Sequence, residues 1–120
     1  MANRLVVKVT CGTDDPERAK QAFTVAASAV AAGASVSLWL TGEAAWMAVP
    51  GRASELSLPQ ATPVADLLDV VLQAGTVTLC TQCAARRGLD EATVLPGIRI
   101  AGAAAFVEEA LTDGTQALVY

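Results

Sequence analysis

Apolar and polar positions along this chain switch repeatedly between a two-residue and a helical period. Leu5-Val6-Val7-Lys8-Val9 is rich in β-branched residues and predicts a strand from Arg4 to Thr10. Cys11-Gly12-Thr13-Asp14-Asp15 reads as a loop, with Asp15 as N-cap and Pro16 at the first helical position. The helix runs to about Ala32 and stops at Gly33. Ser35 to Leu40 alternates at the strand period, within a strand predicted over 34–40. Glu43 to Val49 predicts a short helical turn halted by Pro50-Gly51, and 51–62 reads as a loop or lid. Val64, Leu67, Leu68 and Val71 share one face of a helix predicted over 63–74 and closed by Gly75. A strand over 76–79 leads into a helix at the cysteines. Pro96-Gly97 turns the chain into a short strand over 98–100, followed by a helix over 103–111 and a last strand over 116–119.

Strands alternating with helices of these lengths imply right-handed βαβ units. The expected architecture is a three-layer α/β/α sandwich, with a mostly parallel sheet of about five strands, in a single domain spanning 1–120. Functional groups in such folds gather at the carboxyl ends of the strands. Cys80 ends one strand and Cys11 lies just past the end of the first. If those strands are neighbours, Cys11 approaches Cys80 and Cys83 at one rim.

Composition removes several function classes. A net charge of −4 and a pI near 4.6, without a basic stripe, argue against nucleic acid. Ala22 to Gly42 carries no charge and is long enough to cross a bilayer, but Gly33 divides it into an Ala/Ser/Thr-rich helix and a strand. A membrane span is therefore not expected, and the first residues do not resemble a signal peptide. Three cysteines do not suit a secreted disulfide framework, which points to a reducing, cytoplasmic setting. The second half of the first helix, 22–32, is small or apolar nearly all round, with Thr24 and Ser28 its only hydroxyls. Such a helix is buried on more than one side, and the simplest extra cover is a second copy of the chain.

The candidate chemistry lies in Leu79-Cys80-Thr81-Gln82-Cys83-Ala84-Ala85-Arg86-Arg87-Gly88. Cys80 stands where a strand gives way to a helix, and a helix N-terminus stabilises a thiolate. Arg86 and Arg87 follow Cys83 at helical spacing and add positive potential to its face. The same residues admit other readings: a dithiol–disulfide redox pair, half of a zinc site completed by Cys11 or a second subunit, or cysteines that merely pack. No histidine is present, so Ser-His-Asp and Cys-His arrangements cannot form, and no phosphate-binding glycine loop appears. No cofactor or metal is expected. Asp14 and Asp15 cap a helix and would oppose a nearby thiolate. Trp39 is expected in the core; Trp46 either packs there too, lines a cleft or plugs a subunit contact.

Taken together, Asp15-Pro16-Glu17-Arg18-Ala19, the Ala31-Ala32-Gly33 helix end, Leu40-Thr41-Gly42-Glu43, the run from Leu67 to Cys80 and Arg86-Arg87-Gly88 resemble the DsrE/DsrF-like family of sulfur-relay and sulfur-oxidation proteins. The resemblance covers nearly the whole length. It implies the same three-layer fold, assembly into homotrimers or hexamers, and a persulfide carried on the cysteine at the position of Cys80. It leaves Cys83 as a second carrier, a resolving thiol or a bystander. The implied activity is that of a persulfide carrier or sulfurtransferase, working between sulfur donor and acceptor proteins. The alternatives are a C-x-x-C redox protein and a non-catalytic oligomeric binding module.

Overall fold

The computed structural model describes residues 3–120. Five strands, β1 (Arg4–Val9), β2 (Ser35–Leu40), β3 (Thr76–Cys80), β4 (Arg99–Ala101) and β5 (Thr115–Val119), form one sheet in the order β4-β3-β2-β1-β5. Every pairing is parallel. The helices are α1 (Pro16–Ala31), α2 (Val64–Ala74), α3 (Thr81–Arg86) and α4 (Ala103–Ala110), with 3₁₀ turns at Gly42–Ala48 and Arg52–Glu55.

The strand pattern explains the two faces. Val7 and Val9, Val36, Leu38 and Leu40, and Val77 and Leu79 alternate onto one side, where α1 and α2 pack. On that side α1 buries Ala19, Ala22, Phe23, Ala26 and Ala27, and α2 buries Val64, Leu68 and Val71. Alanines keep α1 close to the sheet and to α2. The chain steps from β1 through β4 in one direction, then reverses in a single crossover from β4 to β5. Because such crossovers are right-handed, the reversing helix α4 falls on the opposite face.

That second face is different in kind. It carries Val6, Lys8, Ser37, Trp39, Thr78, Cys80 and Arg99, and α4 alone crosses it. No residue of α4 is fully buried. The helix is fastened by two side chains one turn apart. Phe106 meets Trp39 edge-on, with ring centroids 5.5 Å apart. Glu109 accepts hydrogen bonds from the Ser37 hydroxyl at 2.5 Å, Trp39 Nε1 at 3.2 Å and the Arg99 guanidinium. Burial opposes its ionisation, but these donors and the Arg99 charge hold the carboxyl below the usual carboxylate range.

The elements match the expected ones to within a residue or so, with three instructive differences. Asp15 occupies the N-cap position of α1 but its side chain makes no capping bond; it pairs with Arg18 at 3.4 Å, while Asp14 accepts from the Gly12 N–H. The stretch expected as loop or lid contains the turn at Arg52–Glu55. Gly75 closes α2 by closeness, not by a left-handed turn: a Cβ there would lie 2.6 Å from the Val36 carbonyl oxygen. Among the described residues, the exposed large apolar ones are Val70 on α2 and Val107, Leu111, Leu118 and Val119 on and around α4 and β5. Among the described residues, no helix is long and apolar enough to cross a membrane.

Candidate functional site

Cys80 is the last residue of β3 and the N-cap of α3, and it points to the α4 side of the sheet. Its backbone remains extended (φ −63°, ψ 129°) while the next residue is already helical, so the amides of the first helical turn face its sulfur. Partial burial pushes the thiol up. Hydrogen bonding from the Cys83 N–H, the Cys83 thiol and the Gln82 N–H, together with the charge of Lys8, outweighs burial and holds Cys80 below the ordinary cysteine range. Cys80 is partly exposed.

Cys83 is buried against the core and its sulfur is bound from a different direction. The Gly42 N–H donates to Cys83 Sγ at 3.2 Å. Gly42 has φ +53°, and a Cβ there would overlap the Thr10 carbonyl oxygen. A Cβ on Gly12 would in turn lie 2.7 Å from the Glu43 carbonyl oxygen. The loops after β1 and β2 thus touch backbone to backbone, further pinned by Thr41, whose N–H and hydroxyl both donate to the Val9 carbonyl at 3.0 Å. This contact aims the Gly42 amide at Cys83, which is the local reason for the Thr-Gly-Glu sequence.

The arginines do not act as their spacing suggests. Arg87 donates from Nη2 and Nε to Glu43 Oε2 at 2.8 and 3.3 Å and from Nη1 to the Cys83 carbonyl at 3.1 Å. Its guanidinium clamps the end of α3 to the turn at Gly42–Ala48. Trp46, half-buried in that turn, lies under the guanidiniums of Arg52 and Arg87, 4.7 and 6.0 Å from its ring centre. Arg86 is exposed and makes no ion pair among the described residues. Cys11 stays apart from the pair because β2 separates β1 from β3. It is buried among core side chains, and burial, with Asp15 and Asp14 nearby, pushes its thiol up.

Lys8 is the group the spacing argument missed. It lies on the same sheet face as Cys80, in register with Trp39, which is in register with Thr78 two residues before Cys80. Helical spacing looks only along α3, whereas the cation arrives across the sheet. One signal was available: Lys8 is the sole charge inside the run Leu5 to Val9. Among the described residues, no group of three or more Cys, Asp or Glu is placed to hold a metal ion.

A five-stranded, all-parallel sheet flanked by helices places the chain in the α/β class, with Cys80 and Cys83 at the end of one strand. Within that class, the model of the DsrE/DsrF-like family matches residues 3–119, and the chain belongs to that family. No curated protein matches it. The fold is shared with the YchN protein from E. coli, at 15% identity and a TM-score of 0.81 over 100% of both chains. It is also shared with MTH1491 from Methanobacterium thermoautotrophicum, a protein of unknown function, at 14% identity and a TM-score of 0.64 over 98% of both chains.

Proposed function

We propose that this protein is a cysteine-based sulfur carrier or sulfurtransferase in which Cys80 is the accepting thiolate. The observation that carries the reading is the Cys80 sulfur itself. Cys80 is partly exposed at a strand end, and the first amides of α3, the Cys83 thiol and Lys8 all favour its anion. Membership of a sulfur-relay family supports the same conclusion.

The transfer needs no outside oxidant. The Cys80 thiolate attacks the outer sulfur of a donor persulfide, R–S–SH, and a new S–S bond forms at Cys80. The donor's S–S bond breaks, and its electron pair leaves with the donor as the thiolate R–S⁻. Cys80 then carries –S–SH, and a partner thiolate takes the outer sulfur by the same displacement in the next step. Cys83 serves as a resolving thiol or second carrier. Its buried sulfur, bound by the Gly42 N–H, suits a group that acts after Cys80. Donor and acceptor are proteins, and the protein works in a reducing, cytoplasmic setting as a homotrimer or hexamer. The exposed Val107, Leu111, Leu118 and Val119 are the surface that assembly would cover.

The contact between the two thiols also favours a second reading, a dithiol–disulfide exchanger. Intact-mass measurement after exposure to a persulfide donor separates the two. A reductant-reversible gain of one sulfur atom, lost in Cys80→Ser and kept in Cys83→Ser, supports the carrier. Loss of two hydrogens in place of sulfur gain, abolished by either change, supports the exchanger.

A further inference from the structure

A lysine is almost never fully buried without a partner, and one on an interior strand keeps its ammonium near solvent unless an anion meets it. Lys8 stands on β1, which has strands on both sides, and its side chain is half-buried. Its Nζ lies 4.9 Å from the centre of the Phe106 ring, so α4 holds it over the sheet. Yet it makes no ion pair among the described residues. The other charges on this face are satisfied by one another. Arg99 and Arg4 both approach Glu109, at the end of α4 away from its start. Across the rim, Glu43 is taken by Arg87. Among the described residues Lys8 is therefore the one cation of this face without a carboxylate, and Cys80 is the thiol that shares the surface with it.

We propose that Lys8 selects the reactant at Cys80: the site takes a sulfur compound or thiol partner that carries negative charge close to its reacting sulfur. Two consequences follow from a positive charge two strands across and two residues along from Cys80, a backbone separation of roughly 12 Å. The free thiol ionises more readily, and an approaching anion is drawn in over a neutral molecule of the same shape. The second effect is new to the site. It rests on Cys80 being the reactive thiol, but not on what that thiol carries.

The two effects separate with a matched pair of alkylating agents. Iodoacetate and iodoacetamide attack the same thiolate, so the ionised fraction cancels in the ratio of their rates. Alkylation of Cys80 is followed by peptide mass spectrometry in the wild type, Lys8→Met, Lys8→Arg and the control Lys20→Met on α1. At low salt, the iodoacetate-to-iodoacetamide ratio is expected to exceed that of an unstructured cysteine peptide roughly three- to fivefold. The preference should vanish in Lys8→Met, persist in Lys8→Arg and Lys20→Met, and collapse as salt rises past about 0.15 M. With iodoacetamide alone, the pH midpoint should move upward in Lys8→Met. A ratio equal to that of the peptide, or one unchanged in folded Lys8→Met, overturns the proposal. Should Lys8→Met fail to fold, the wild-type salt series decides, since a flat ratio also overturns it. Failure of sulfur uptake with the anion preference intact would reject the carrier reading and leave this one standing; the reverse result would do the opposite.

Discussion

Replacing Glu109 by alanine should release α4 from the sheet. The helix has no fully buried residue, so its attachment rests on Phe106 and on this carboxylate. The loss leaves the Ser37 hydroxyl and Trp39 Nε1 without an acceptor where both residues are at most 3% exposed. Each orphaned buried donor costs about 1–2 kcal/mol. The Arg99 pair adds little, because Arg99 is 43% exposed and its charge is screened. The sum is about 3 kcal/mol, or roughly a 10 °C fall in Tm for a domain of this size. Glutamine at the same position keeps an acceptor oxygen and should cost about 1 kcal/mol. The pH dependence has a definite sign. The folded carboxyl titrates below its unfolded value, so its stabilisation is present above the unfolded pKa of about 4.3. It disappears as pH falls through the lower folded value. Urea melts of wild type and Glu109→Gln at pH 7 and in the acid range below 4 measure this, with hydrogen exchange of α4 amides as a local readout. If Glu109→Ala lowered stability by less than 0.5 kcal/mol, or the difference between the proteins did not shrink in acid, the polar anchor would be refuted.

Three further outcomes are expected. Gly42→Ala must shift the Thr10 carbonyl and leave φ near +53°, so denaturant melts should show a loss of about 3 kcal/mol or more. Cys11 should alkylate far more slowly than Cys80 at pH 7, being buried with its thiol pushed up, and site-resolved labelling kinetics would show it. Arg87→Ala should leave the pH midpoint of Cys80 alkylation in place while lowering stability by about 1 kcal/mol, because its guanidinium is spent on Glu43 and the Cys83 carbonyl.

Most of the architecture was legible because local rules governed it. Pro16, Gly33 and the apolar spacing of α2 delimit helices by chain geometry alone, and alternation with strands implies a parallel sheet. Cys80 at a strand end could be read in the same way. What could not be read was everything that depends on strand order. That order puts β2 between Cys11 and the C-x-x-C pair, sets Lys8 on the face of Cys80, and brings Glu109 over Ser37 from 72 residues away. Arg87 shows the same dependence: it follows Cys83 by one helical turn, but the turn at Gly42–Ala48 offers Glu43, and its guanidinium bonds that carboxylate and the Cys83 carbonyl.

The two margins of the sheet are unequal. β4 ends it with three residues, whereas β5 presents five, including the exposed Leu118 and Val119. Growth of a sheet by addition of chains requires two usable edges, one to give and one to receive. Here only β5 has the length and the apolar surface to recruit a neighbour. Pairing at this margin would occupy the long edge and leave only the three-residue stub of β4, a poor template for a further strand.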